Sequence, residues 1–360
     1  MTSDQIVEAL RIVQEPDLGS DIISLNMVRD IDIRNNDVSF TLVLTTPACP
    51  LKDMMRNACV DAIKRMVNQD AVVLVNFTSN TTSNRHDPNS VLPNVKNIIA
   101  VVSGKGGVGK STVASNLAIA LAQGGARVGL MDADIYGPSV PIMFGVRGER
   151  PMMMDNGGKG MIVPLEKFGI KLMSIGLLVD EKNAVVWRGP MASSAIRQFV
   201  TDVNWGDLDY LIIDMPPGTG DIHLTLVQAV PVTGAIVVST PQEVALADAK
   251  KAIAMFAQMQ SKVPIIGLVE NMSYFSLPGT NSRHYIFGKD GGKNLAEEYE
   301  IPFLGQIPLD QQIREGGDSG IPIVASELPG REAYIEFAGN AVRSISMRNA
   351  NVRVTEMELS

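Results

Sequence analysis

The sequence predicts an α/β protein: a mostly parallel sheet with helices on both faces, preceded by a small α/β domain. Three observations carry that expectation. From about Val95, short β-branched runs ("NIIAVVS", "RVGLMDAD", "IKLMSIG", "DYLIIDMP", "GAIVVST", "IIGLVEN") alternate with helical stretches, the rhythm of βαβ units around a buried parallel sheet. The chain has 360 residues, room for one large domain and a small one. A polar stretch, "SNTTSNRHDPNSVLPN", interrupts the two regions and reads as a linker. The expected division is a small domain over 1–78, a linker over 79–95, the large domain over 96–350 and a tail over 351–360.

The elements follow in order. "DQIVEALRIV" sets Ile6, Ala9, Leu10 and Val13 on one helical face. "DIISLNMVRDIDIR" and "DVSFTLVLTT" read as strands around the Asn35-Asn36-Asp37 turn, and Val38, Phe40, Leu42 and Leu44 alternate with Ser39, Thr41 and Val43. "PACP" then precedes a helix from about Leu51 to Met66 and a strand, "AVVLVNFT". In the large region a strand, a glycine-rich loop and the helix "KSTVASNLAIALAQGG" come first. Met152 to Met154 are expected in a packed or hairpin segment. His223 is placed in a helix, where it packs or caps; His284 and His86 are placed in loops.

Composition excludes several classes. Net charge is -8 and the pI is about 5.1, which opposes non-specific nucleic-acid binding. The start, "MTSDQIVEALRIVQEPD", lacks the pattern of a signal peptide. No apolar run is long enough to span a membrane, and the end, "NVRVTEMELS", has no basic amphipathic pattern. Two cysteines make no disulfide framework. A cytoplasmic location is the expectation, with no membrane and no nucleic-acid partner.

The loop "VVSGKGGVGKSTVASNLA" fits two patterns. Gly104, Gly106 and Gly109 fit G-x-G-x-x-G, and Asp132 lies about where a ribose-binding acid would. Gly104 to Ser111 also fits G-x-x-x-x-G-K-[ST]. Lys110, Ser111 and Thr112 decide for the second, because a cation and hydroxyls serve a triphosphate with Mg²⁺. "YLIIDMPPGTGD" adds Asp214 at a further strand end, where a Walker-B carboxylate sits. The candidate nucleotide-binding residues are therefore Gly104, Lys105, Gly106, Gly107, Val108, Gly109, Lys110, Ser111 and Thr112. Their N–H groups and the positive end of the next helix cradle phosphate.

"GKGGVGKST" resembles the deviant Walker loop of the NTPases that include MinD, ParA, the arsenite-pump ATPase and the nitrogenase iron protein. "DADIYGPSVP", "DMPPGTGDIHLTL", "STPQEVALADAKKAI" and "VENMSYF" narrow this: from Asn97 to about Arg348 the chain resembles the Mrp/ApbC iron–sulfur cluster carriers. The unit containing "TTPACP" is similar to a small domain fused to these carriers and found alone in iron–sulfur assembly factors. The resemblance implies an ATP-closed homodimer, slow hydrolysis, iron–sulfur assembly proteins and apo-protein clients as partners, and ATP, Mg²⁺ and a cluster as ligands. It implies roles too. Lys110 binds the β/γ-phosphates. Lys105 reaches the nucleotide of the partner subunit. Ser111 and Asp214 serve Mg²⁺, Asp132 supports the metal or its loop, Asp134 positions the attacking water, and Asn271 contacts the base.

One departure matters. Most of these carriers place a C-x-x-C just after "NMSYF", and two such pairs hold a shared [4Fe–4S] cluster. Here Leu277 and Thr280 stand at those positions, so the usual thiolate site is absent. Cys49, at a helix N-terminus that lowers a thiol pKa, is the better candidate for cluster handling; Cys59 reads as core. The expected function is an ATP-hydrolysing iron–sulfur cluster carrier. A client-binding scaffold that carries no cluster and a MinD/ParA-like positioning ATPase are the alternatives.

Overall fold

The structure is a computed structural model. It describes the chain except residues 86–90, 180–188, 259–262, 278, 280–281 and 359–360, and it leaves out the side chains of 156, 159, 189–190, 192–193, 221 and 351–358. His86 and Thr280 therefore lie outside the described residues. The chain divides into two compact units, Met1–Thr82 with Ile345–Ser360, and Ser83–Ser344.

In the smaller unit, helix α1 (Ser3–Leu10) starts at a capping box between Thr2 and Gln5. A short ladder, β1 (Gln14–Glu15) with β2 (Ser20–Asp21), follows. Then come β3 (Val28–Arg34), β4 (Asp37–Leu44), α2 (Lys52–Met66) and β5 (Val72–Ser79). β4 pairs antiparallel with β3 and parallel with β5. Val38, Phe40, Leu42 and Leu44 all point inward, as their alternation requires. They pack with Ile6, Leu10, Met55, Cys59 and Ile63 in one core. The strand expected over 21–34 is split. Asp21 accepts hydrogen bonds from Ile23 N, Ser24 N and Ser24 Oγ, and Asn26 adopts φ +53°. This side-chain-held turn ends the first strand and delays the next to Val28.

The larger unit contains an eight-stranded sheet. Its elements in chain order are β6 (Val95–Val102), α3 (Lys110–Gln123), β7 (Val128–Asp132), α4 (Val140–Met143), β8 (Met153–Asn156), β9 (Lys159–Ile162), β10 (Leu165–Lys167), β11 (Ile170–Ser174), α5 (Gly189–Thr201), β12 (Leu208–Asp214), α6 (Asp221–Ala229), β13 (Gly234–Ser239), α7 (Glu243–Gln258), β14 (Ile265–Glu270), β15 (Phe275–Ser276), β16 (Arg283–His284), α8 (Gly291–Glu298), β17 (Phe303–Gln306), α9 (Gln311–Ser319) and α10 (Arg331–Glu358). The sheet order is β10-β11-β7-β12-β6-β13-β14-β17. All its pairings are parallel except the edge pair β10/β11. β7, β12 and β13 are buried at every position, as continuous apolar strands between two helical layers must be.

β8 and β9 form a separate antiparallel hairpin. Met153 and Met154 thus lie on a hairpin strand and Met152 just before it, and all three are exposed rather than packed. β15 and β16 form a second hairpin, on which His284 is exposed. α10 begins in the larger unit and ends in the smaller one, so the tail expected from 351 continues a helix.

The topology points to one place. After β6 the chain crosses through α3 to β7, beyond β12, while β13 lies on β6's other side. The carboxyl end of β6 is therefore a switch point, where open α/β sheets bind ligands.

Candidate nucleotide-binding site

The loop Ser103–Gly109 joins β6 to α3. Gly109 is the N-cap of α3 with φ +83°, a left-handed conformation that glycine adopts without strain. A Cβ there would lie 2.1 Å from the Asn271 amide nitrogen. At Gly104 a Cβ would lie 2.0 Å from the Asp248 carbonyl oxygen on α7. The loop is thus packed against α7 at its start and against Asn271 at its end. Asn271 Nδ2 donates to Val108 O at 2.8 Å, and Asn271 N donates to Ser239 O. Asn271 is buried, and its amide is engaged with the loop's backbone.

Four adjacent strands bring a row of side chains to this loop. Ser174 on β11 pairs with Asp132 on β7, Asp132 pairs with Asp214 on β12, and Asp214 pairs with Val101 on β6. Strand spacing of about 4.8 Å puts the two carboxylates side by side. Lys110 reaches back from α3 over them. Its Nζ lies 2.5 Å from Asp214 Oδ1, 3.8 Å from Asp134 Oδ2 and 3.2 Å from Ser111 Oγ.

Burial first, then the neighbouring Asp214, pushes the Asp132 carboxyl up to about 8. Ser174 Oγ donates to Asp132 Oδ2, and Asp134 N donates to Asp132 Oδ1, so both its oxygens are occupied. Burial raises Asp134 too, while Lys110 opposes the rise. Asp214 Oδ2 and Asp134 Oδ1 are buried without a hydrogen-bond partner among the described residues. Unpartnered carboxylate oxygens beside a hydroxyl are hard donors of the type Mg²⁺ takes, so the residues fit that ion. Lys105 is exposed and forms no ion pair among the described residues; Ser103 Oγ donates to its carbonyl oxygen.

The second loop, Met215–Gly220, is tied to the first by Gly218 N donating to Ser103 O. His223 at the start of α6 is buried, with its ring nitrogens 3.0 Å from Pro216 O and 3.3 Å from Gly220 O. It braces this loop, and burial lowers its pKa.

A cavity of about 360 Å³ opens beside the loop. Gly109 and Thr112 form one wall, and Asn271, Leu309, Asp310 and Tyr334 form others. Asn271 was singled out in the sequence, as a base contact that the resemblance implies, whereas Leu309, Asp310 and Tyr334 were not. They come from distant segments with no motif; only "IPLD" beside a turn hinted at a loop there. Ser174 lies within "IKLMSIG" and Asp248 within "STPQEVALADAKKAI", but the contacts they make, to Asp132 and to Gly104, join separate elements and carry no local signal.

Elsewhere, Cys59 is fully buried and its thiol is pushed up to about 12 by burial, so it is core. Cys49 is half-buried ahead of α2, and neither cysteine forms a disulfide. Leu277 is exposed beyond β15. Among the described residues no three His, Cys, Asp or Glu side chains are grouped to hold a metal ion. No helix among them is long and apolar enough to cross a membrane.

A glycine loop at a sheet switch point, a lysine bridging to strand-end carboxylates and a flanking cavity define a P-loop nucleotide-binding protein. Comparison with known proteins narrows the class. Residues 94–342 match the family described as NUBPL iron-transfer P-loop NTPase, and residues 3–77 match the one described as iron-sulfur cluster assembly protein. The iron-sulfur cluster carrier protein of Synechocystis sp. is 50% identical over 351 residues, covering 96% of this chain and 99% of that one. That of Deinococcus radiodurans is 45% identical, covering 96% of each. A nucleotide-binding protein from Archaeoglobus fulgidus, solved in complex with ADP, is 41% identical with a TM-score of 0.58, covering 67% of this chain and 92% of that one. The cell-division ATPase MinD of Pyrococcus furiosus, 22% identical with a TM-score of 0.50, covering 68% of this chain and 97% of that one, shares the fold. The chain belongs to the NUBPL iron-transfer P-loop NTPase family.

Proposed function

We propose that this protein binds and hydrolyses ATP as a homodimer and carries iron–sulfur clusters to apoproteins. The observation that carries the reading is Lys110 lying between the phosphate loop and Asp214, in a chain related over nearly its whole length to proteins named as cluster carriers. Lys110 would transfer its charge to the β/γ-phosphates, and the loop N–H groups of Gly106 to Lys110 would hold them. Ser111 and Asp214 would hold Mg²⁺, which when bound neutralises charge on the phosphates. Asp134, near Lys110 and with one oxygen unpartnered, would orient the attacking water. Asp132, with both oxygens occupied, would shape that loop. Lys105, exposed at the loop's rim, suits a charge delivered to the nucleotide of the partner subunit. Asn271 would fix the loop against which the base rests.

Cluster handling is assigned to Cys49, the half-buried thiol ahead of α2. Two copies of Cys49 with thiols from a client or small cofactor would complete the ligand set for the cargo. A second reading, an ATP-dependent scaffold that binds clients and carries no cluster, draws support from the exposed Leu277, which stands where the resemblance leads one to expect the first cysteine of a C-x-x-C. A positioning ATPase gains nothing beyond the shared fold.

The test is anaerobic reconstitution with iron and sulfide, comparing wild type with Cys49→Ser, read by bound iron, visible absorbance and transfer to an apo-enzyme. A cluster that is lost in the variant supports the carrier. No cluster, with nucleotide-dependent binding of assembly proteins, supports the scaffold. Alongside it, Lys110→Ala should abolish ATP turnover and Lys105→Ala should remove its dependence on protein concentration. Unchanged turnover in both variants would refute the nucleotide assignment.

A further inference from the structure

We propose that the hydroxyl of Tyr334 hydrogen-bonds the purine base of the bound nucleotide and makes the site select for it. The inference rests on the nucleotide reading above and deepens it by one residue. Tyr334 lies in the first turn of α10, is fully buried, and its hydroxyl has no hydrogen-bond partner among the described residues. Buried polar atoms are almost always satisfied, so an orphaned phenol calls for a partner the chain does not itself supply. Tyr334 forms part of the wall of the 360 Å³ cavity that Gly109 and Thr112 also line. A nucleotide whose phosphates lie on Lys110 and Ser111 therefore directs its base into the cavity that Tyr334 closes.

Several other polar side chains there are already engaged, while the hydroxyls of Thr112 and Ser139 stand at the wall nearer the phosphate loop. Asn271 Nδ2 donates to Val108 O. Asp310 Oδ1 accepts from Gln312 N as the cap of α9. Arg314 pairs with Asp318 and Glu315. Burial raises the Tyr334 pKa above the ordinary phenol range, so the group stays neutral. It then both donates and accepts, matching the alternating donors and acceptors on a purine edge.

Tyr334→Phe removes one oxygen and keeps the ring. Calorimetry would compare Mg·ATP, Mg·CTP and Mg·tripolyphosphate on the full-length protein, with thermal melting of the ligand-free forms. Loss of one hydrogen bond should weaken Mg·ATP about three- to tenfold. Mg·CTP has the same sugar and phosphates but one ring fewer, so its affinity should hold, as should that of Mg·tripolyphosphate. The ligand-free variant should melt at the wild-type temperature or above it, because an unsatisfied buried hydroxyl has been removed. Wild-type affinity for Mg·ATP in the variant would overturn the proposal. So would an equal loss for all three ligands, which would mark Tyr334 as structural. Wild-type protein that fails to bind Mg·ATP would instead sink the nucleotide reading, and the Tyr334 assignment with it.

Discussion

Asp132→Asn should flatten the pH dependence of stability in the ligand-free protein. Asp132 is wholly buried and its carboxyl is raised from 3.8 to about 8. Between those values the folded state holds a proton that the unfolded chain releases. The resulting stability is complete below the unfolded value and is lost as pH rises through the folded one. His223 works the other way: burial lowers it from 6.5, so its contribution is present above that value and lost on acidification. Above pH 7 His223 is nearly silent, which leaves a window for Asp132. Between pH 7 and 8.5 the release of one proton amounts to about 1 kcal/mol of lost stability. Asparagine keeps the local geometry. Its oxygen accepts from Asp134 N as Asp132 Oδ1 does, and Ser174, which now donates to Oδ2, turns its hydroxyl to accept from the new amide. Asp134 is raised in both proteins, so the difference in slope isolates Asp132. Urea unfolding at pH 7, 7.5, 8 and 8.5 would read it. Parallel slopes for wild type and variant would show that Asp132 does not hold a proton in the fold.

Other perturbations test the packing around the loop and the two thiols. Gly104→Ala places a methyl 2.0 Å from the Asp248 carbonyl oxygen, backbone against backbone; it should destabilise by at least about 1–3 kcal/mol and abolish ATP binding, and calorimetry with wild-type affinity would contradict it. Cys59→Ser buries a hydroxyl in the core of the smaller unit and should lose about 1–3 kcal/mol in urea unfolding. Cys49→Ser, at a half-buried position, should lose less than half as much; equal losses would remove the distinction drawn between the two cysteines.

The phosphate loop, its strand and its helix were legible because the constraint is local. "GKGGVGKST" fixes glycines, lysine and hydroxyls within a few residues. Asp132 and Asp214 were legible as acids ending apolar strands, though the sheet order that makes them neighbours was not. What the loop rests on could not be read. Asn271 holds Val108 from 163 positions away, and the Gly104–Asp248 contact pairs a glycine with a backbone atom that any residue could supply. The strand expected over 21–34 failed for a related reason. Its residues have strand propensity, but Asp21 turns its side chain onto the following backbone, a choice that propensity does not encode. Tyr334 carried no signal, since an aromatic at helical spacing reads as core, and Tyr334 is indeed fully buried.

The charges around Lys110 set a condition on what the site binds. Asp214 at 2.5 Å and Asp134 at 3.8 Å share its single ammonium, with Asp132 beside them in the same row. One cation cannot balance three ionised carboxylates out of water, and Asp132 answers by keeping its proton. If Lys110 moved to a phosphate chain alone, Asp214 and Asp134 would face each other with no counter-ion. An uncompensated buried charge costs several kcal/mol, and the phosphates would add more negative charge nearby. A phosphate chain that arrives with a divalent cation meets both demands, because the carboxylates regain a counter-charge when the lysine leaves. Nucleotide and cation should therefore bind as a unit. Titration with ATP in excess EDTA should show affinity at least about tenfold below that with Mg²⁺, since even a 1.4 kcal/mol share of that cost is a factor of ten. Equal affinities would mean that Lys110 does not leave Asp214 when the loop fills.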